Sequence, residues 1–231
     1  MNEIKLGDIF PETVLKLSEA CYFMCQMLDT YHKMDFFIFN LNATVQAIRN
    51  ITFMLQSELG DNSTLQKWYE SKQEDMRSNK SLKNFKDARN TIVKKGSLQH
   101  KSTLQVGLFR GYQFKLGMGG DVPITADSYH ILKKAQETFY NLYVDPEHTT
   151  IGEQLGVKRE WYAEDLSNDE VVTACNNAID YFGDILLELA TLLNANFKWK
   201  IGTTPLQLAK FQVLLESDVD PSLPKKWGWV S

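Results

Sequence analysis

Hydrophobic residues along this chain recur mostly every three or four positions, which is the spacing of one face of an α-helix. These stripes predict a helix after Pro11, a second over about 37–59 with Gly60 as its stop, a third from a capping box at 63–66 to about Arg77, and a fourth over about 81–95 with Gly96 as its stop. Because a lone amphipathic helix is marginal in water, stripes of this length need one another's faces. The first four helices therefore predict a bundle.

Between residues 98 and 124 the period of the pattern changes to two. Two alternating runs, centred on Val106 and Phe114, flank Gly111, which is typical of a β-hairpin. The glycines at 117, 119 and 120, followed by Pro123, predict a loop.

Helical spacing returns from about Asp127 and ends before Pro146, whereas 144–166 has no clean period and is expected to be irregular. A second capping box at 167–170 predicts the start of the strongest helix, whose apolar repeat runs through Leu192. A shorter helix, capped by Thr204 and Pro205, is expected to continue through Val213. The tail that contains Trp227 and Trp229 is expected to be extended, and its tryptophans either dock on the bundle, which is the favoured interpretation, or form an exposed recognition segment.

The predicted fold class is mainly α, a helical bundle with a small inserted β-hairpin. We expect a single domain over 1–231, with a bundle core at 8–100, the hairpin insertion at 101–124, and additional helices at 125–231 that pack on the bundle.

The composition is that of an ordinary globular protein, with 43% hydrophobic and 23% charged residues and a net charge of −4. No run approaches 18 consecutive apolar residues, and residues 1–5 lack the basic region of a signal peptide, so we expect a cytoplasmic protein with no membrane partner. Three cysteines without C-x-x-C spacing disfavour a disulfide scaffold and a zinc ribbon. The histidines show no ligand spacing either, so no metal and no cofactor are predicted.

The net charge conceals an asymmetry along the chain. Residues 64–101 contain ten basic and four acidic side chains, whereas 142–197 contains two basic and eleven acidic ones. Either the basic segment forms an anion-facing surface, for which Lys83, Lys86 and Lys95 are the candidates, or the basic and acidic segments face one another or are both solvated.

The most pointed local feature is Arg89-Asn90 near the end of the fourth predicted helix. Arg89 lies four residues after Phe85 and therefore on or beside the buried face, where a charged side chain needs partners. A polar pair at the edge of a core indicates either a structural hydrogen-bond network or the rim of a site.

The segment 85–96, with the helices before it, resembles the HEPN superfamily of helical-bundle proteins. Members carry an Arg, often followed by Asn or another polar residue, and a His four to six residues beyond the Arg. Residues 39–56 and 68–77 also resemble the corresponding segments of a group of uncharacterised bacterial proteins. The resemblance covers about residues 36–96.

The resemblance implies a helical homodimer and, in active members, a metal-independent ribonuclease. Arg89 matches the arginine, which holds the scissile phosphate, and Asn90 matches the following polar residue. The histidine position is occupied by Lys94, which can hold a phosphate but makes a poor general base, and the next histidine, His100, lies outside the pattern. Candidate catalytic residues are therefore Arg89, Asn90 and Lys94.

Three functional hypotheses follow. The leading one is a non-catalytic binding or assembly module with an RNA or protein partner, which would belong to a toxin, phage-defence or stress system. The alternatives are a ribonuclease that uses Arg89 and Asn90, with Lys94 or His100 in place of the histidine, and a protein that binds a small ligand between the bundle and the hairpin.

Overall fold

The computed structural model describes residues 4–110, 112–143, 154–199 and 206–213. It confirms a mainly α protein with a small β portion. The helices are α1 (Leu6–Ile9), α2 (Pro11–Asp29), α3 (Met34–Glu58), α4 (Ser63–Ser78), α5 (Lys80–Lys95), α6 (Ser128–Tyr143), α7 (Val171–Leu192) and α8 (Leu206–Lys210). The strands are β1 (His100–Arg110), β2 (Gln113–Val122), β3 (Gln154–Ala163) and β4 (Phe211–Val213).

The chain divides into two compact units. The bundle unit consists of 1–29, 35–100 and 162–203, and the sheet unit consists of 30–34, 101–161 and 204–231. The segment 125–231 thus contributes to both units. That 1–231 forms a single domain stays a prediction, as does the docking of the tail, because 214–231 lies outside the described residues.

In the bundle unit, α2 contacts α1 and α7, and α5 contacts α4 and α7. The stripes that predicted these helices form the core, with Leu17, Met24, Ile48 and Phe85 all nearly inaccessible. In α7 the predicted repeat is buried from Val171 to Leu189, but Leu192 at its end is 53% exposed. None of the helices in the described ranges is long and apolar enough to cross a membrane.

Helix ends differ from the predicted capping boxes by one to three residues. The N-cap of α4 is Asn62 rather than Ser63, because the Asn62 side chain accepts hydrogen bonds from the N–H groups of Thr64 and Leu65. The N-cap of α7 is Glu170, whose carboxylate accepts hydrogen bonds from the N–H groups of Val172 and Thr173, so α7 begins at Val171 and not near 168. Gly96 ends α5 in the left-handed conformation, as predicted.

In the sheet unit the strand order is β2-β1-β3-β4. The predicted hairpin is confirmed, since β1 pairs antiparallel with β2 from Ser102 opposite Val122 to Arg110 opposite Gln113. The expectation of a loop at the glycines 117–120 is wrong, because these residues lie within β2 and pair with β1. A glycine suits Gly117, where an added Cβ would overlap the backbone of β1.

Two further predictions for this part of the chain are wrong. The segment expected to be irregular contains β3, and the residues expected to continue a helix through Val213 turn at Phe211 into β4, which pairs antiparallel with β3. Phe211 fits this position because its ring lies 4.7 Å from the ring of Phe109 and covers Gly156, which has no side chain in the way. Thr204 and Pro205 lie outside the described residues.

A buried arginine organises the sheet unit. The guanidinium of Arg159 donates hydrogen bonds to the carbonyls of Ile124 (3.0 Å) and Ala126 (2.6 Å), and to the hydroxyls of Ser102 (2.9 Å) and Ser128 (3.3 Å). Within the described ranges no carboxylate forms an ion pair with it. Burial lowers the pKa of Arg159 to about 10 from its usual 12.5.

The ring of an aromatic side chain, Trp161, stacks against this arginine. Its guanidinium lies 3.9 Å from the centre of a Trp161 ring, and the indole N–H of Trp161 donates to the carbonyl of Tyr31 at 2.8 Å. Beside it lies His32, both of whose ring nitrogens are buried and form no hydrogen bond with the described residues. The sheet unit therefore holds a cation and a neutral imidazole in its core.

Candidate functional site

The candidate residues on α5 lie on more than one face of the helix. Arg89 and Asn90 are half-buried beside the core residues Phe85, Ala88 and Ile92, as their spacing predicts. Lys94 and Lys95 are exposed in the last turn, where cations offset the partial negative charge of a helix end.

The three residues proposed as catalytic are not brought together. Five positions along an α-helix correspond to a rotation of about 140°, so Lys94 projects away from Arg89. The other candidate, His100, begins β1, and its Nε2 lies 3.1 Å from Oγ of Ser97. Burial lowers the pKa of His100, and no contact in the described chain joins it to Arg89. Among the described residues, neither of these two candidate bases therefore lies beside a phosphate held by Arg89.

Arg89 has a different neighbour, which is Arg49 of α3. Burial lowers the pKa of Arg49, Tyr69 opposes this shift, and the nearby positive charge of Arg89 lowers the pKa further. Two guanidinium groups on neighbouring helices thus lie close enough to repel each other. An anion between or beside them would relieve this repulsion.

Arg49 belongs to the wall of a pocket of about 520 Å³ in the bundle unit. Residues from α3, α4 and α5 line the pocket, together with Phe182 of α7. Four of the lining side chains are cationic and none is acidic: Arg49, Arg77, Lys83 and Lys86. Lys83 and Lys86, which the sequence nominated for anion binding, therefore line the same cavity, whereas Lys95 does not.

The cations around this pocket have no carboxylate partners among the described residues. Arg49, Arg77, Lys83, Lys86 and Arg89 form no ion pair within the described ranges. The bundle unit does contain acidic side chains, but those that the structure describes form no ion pair with these five cations.

On another part of α4, Lys72 Nζ lies 2.7 Å from a carboxylate oxygen of Glu188 in α7, and the Trp68 indole donates to the same carboxylate at 2.6 Å. The basic and acidic segments thus do meet at this point. Ion pairing between α4 and α7 therefore occurs at Lys72 and Glu188, whereas the cations of the pocket form no ion pair among the described residues.

Hydrogen bonds hold the pocket wall in place. The Arg49 guanidinium donates to the Thr52 hydroxyl and lies 4.4 Å from the centre of the Phe53 ring. The Tyr69 hydroxyl donates to the Thr52 carbonyl at 3.0 Å. Arg49 and Tyr69 are therefore oriented without any bound ligand.

Sequence reasoning missed Arg49 and Phe53. A signal existed, because Arg49 is the one Lys or Arg in the 25 residues of α3 and interrupts an apolar stripe next to Ile48. What the sequence could not show is that this turn of α3 packs beside α5. As for metals, no three His, Cys, Asp or Glu side chains come together as a binding group in the described chain.

Fold and site define a class: a mainly α protein with a helical bundle unit, a small sheet unit, and a cationic pocket in the bundle unit. More particularly, the chain belongs to the family described as bacteriophage lambda protein ea47, whose model matches residues 12–196. Searches of curated proteins and of solved structures give no match.

Proposed function

We propose that this protein is a non-catalytic, HEPN-like module that binds single-stranded RNA on the α4–α5 side of its bundle. The observation that carries this proposal is the group of five cations, at and beside one pocket, that have no carboxylate partner among the described residues. Unpaired cations repel one another, and a polyanion removes that repulsion while it releases its own counterions.

The arrangement along α5 fits a chain of phosphates better than a single anion. Lys83, Lys86 and Arg89 follow one another at three-residue intervals, each about 60° around the helix from the next, so they form a row that runs obliquely across one side of α5. Arg77 adds a cation from the last turn of α4. A flexible strand can place successive phosphates along such a row.

Binding without cleavage is favoured because, among the described residues, neither candidate general base lies beside Arg89. Cleavage at the 2′-hydroxyl needs a general base within hydrogen-bond reach, and neither Lys94 nor His100 contacts Arg89. We also propose that the module forms a homodimer through its bundle helices, in line with the HEPN resemblance.

The test is fluorescence anisotropy with a labelled single-stranded RNA, in EDTA, across a series of salt concentrations. The variant Lys83→Glu/Lys86→Glu reverses two pocket cations. The matched control, Lys67→Glu/Lys80→Glu, makes the same charge change at two exposed lysines of α4 and α5 that do not line the pocket. We expect the pocket variant to lose at least tenfold more affinity than the control, with a shallower salt dependence than the wild type.

Three results would contradict this proposal. Equal losses in the two variants would show a non-specific charge effect, and an absence of RNA binding by the wild type would remove RNA as the ligand. Cleavage of the RNA that disappears in Arg89→Ala would instead establish the ribonuclease alternative.

A further inference from the structure

The pocket is more than a cluster of charges, because one side of it is apolar. Its inner wall includes Ile48, Phe85 and Phe182, each at most 4% exposed, and Phe53 lies nearer the surface. A volume of about 520 Å³ lies within the range of pockets that enclose a small organic molecule. Phosphate alone needs no such wall, so the shape indicates a ligand with a planar or apolar part as well as a charge.

Phe53 offers a stacking surface. The ring is held in place by the Arg49 guanidinium 4.4 Å from its centre, and Arg49 is itself fixed by Thr52. Phe53 nevertheless remains 43% exposed, which leaves area for another planar group. Aromatic rings paired with arginine are the surfaces on which unpaired bases stack in proteins that bind single strands.

Polar groups that can contact the edge of a base are also in the pocket wall. The side chains of Gln56 and Gln73, both of which end in amides, belong to residues that line the cavity. An amide supplies both a donor and an acceptor, which is what the edge of a nucleobase requires. Lys83 and Lys86 supply the charge for the phosphate.

We propose that the pocket encloses one nucleotide, with its base stacked on Phe53 and its phosphate held by Lys83 and Lys86. The choice of a nucleotide as the ligand rests on the proposed function. What this inference adds is that the pocket holds a single unpaired base. A base inside a duplex cannot enter such a cavity without leaving its stack, so the site selects single strands.

The test measures binding of AMP, adenosine and inorganic phosphate to the full chain by isothermal titration calorimetry. We expect saturable AMP binding that is tighter than that of either phosphate or adenosine. In Phe53→Leu the dissociation constant for AMP should rise roughly 5- to 150-fold, the range that loss of one base–aromatic stack produces, while Phe53→Trp retains binding. The control is Phe39→Leu, since Phe39 is an exposed phenylalanine of the same helix that does not line the pocket.

The outcomes separate this inference from the proposed function. If AMP does not bind, or binds Phe53→Leu as well as it binds the wild type, the nucleotide pocket is refuted, even if RNA binding still depends on Lys83 and Lys86. If AMP binding depends on Phe53 but RNA is not retained, the pocket stands and RNA is the wrong ligand. Thermal melts of the two leucine variants confirm that each protein tested is folded.

Discussion

His32 should make the sheet unit sensitive to mild acid. Its ring is buried beside Arg159, and burial followed by that positive charge lowers the pKa of His32 from 6.5 to about 4. The carbonyls of Ala209 and Lys210 and the charge of Asp127 oppose the shift, although neither ring nitrogen has a partner in hydrogen-bond geometry. The folded protein therefore holds a neutral imidazole where the unfolded chain would hold a protonated one.

The sign and size of the effect follow from this difference. Because the folded-state pKa lies below the unfolded value, the stability is complete above pH 6.5 and falls as the pH drops toward 4. Values of about 4 and 6.5 imply a loss of about 2 kcal/mol in the free energy of unfolding between pH 7.5 and pH 5, and about 3 kcal/mol by pH 4.

The measurement is urea denaturation of the wild type and of His32→Leu at pH 7.5 and at pH 5. Leucine cannot titrate and forfeits no hydrogen bond at this position. The carboxylates of the chain titrate in both proteins, so the change with pH in the wild type minus the change in the variant isolates His32. We expect this difference to be about 2 kcal/mol, with the wild type losing more. Equal changes in the two proteins would refute the argument, as would a wild type that is more stable at pH 5.

Two further predictions concern packing in the bundle unit. The Glu58 carboxylate accepts hydrogen bonds from the N–H groups of Glu12 and Thr13 (2.8 and 2.9 Å) and thereby caps α2. In chemical denaturation, Glu58→Ala should lower the free energy of unfolding by about 1–2 kcal/mol, and Glu58→Gln should lower it by clearly less. An equal loss in both variants would argue against the cap. Gly183→Ala should destabilise by roughly 1–3 kcal/mol although alanine favours helix, because the new Cβ would overlap the Trp199 ring. In a Trp199→Ala background the same change should stabilise by up to about 1 kcal/mol, and a loss there as well would place the strain elsewhere.

The helices were predictable because their burial follows a simple period. Strand β3 was missed although its buried positions do alternate, at 155, 157, 159, 161 and 163. The third of these five buried positions is Arg159. A charged residue on the inward face interrupts the alternation of hydrophobic residues, so the hydrophobic pattern does not predict a strand. Its partners are carbonyls and hydroxyls at distant positions, which cannot be inferred from the residues around it.

The candidate site was predictable only where it is local. Lys83 and Lys86 could be nominated together because they lie one turn apart on a single helix. Arg49 and Phe53 come from a helix some thirty residues earlier, and their position at the same pocket depends on how α3 packs. Helix geometry rather than tertiary packing explains why Lys94, which fits the motif by its spacing in the sequence, lies on another side of α5 from Arg89.

The acceptors of Arg159 have a consequence for how the sheet unit folds. They come from β1, from the connection between β2 and α6, and from the first residue of α6, at sequence separations of 31 to 57 residues. Until β1, β3 and the connection that leads into α6 are all in place, the guanidinium is better solvated by water than by a partly assembled unit. Burying it therefore does not stabilise any partly assembled state. The unit should therefore form late in folding and in a single cooperative step. A protease cut between β2 and β3 should accordingly unfold the whole sheet unit and not one strand alone.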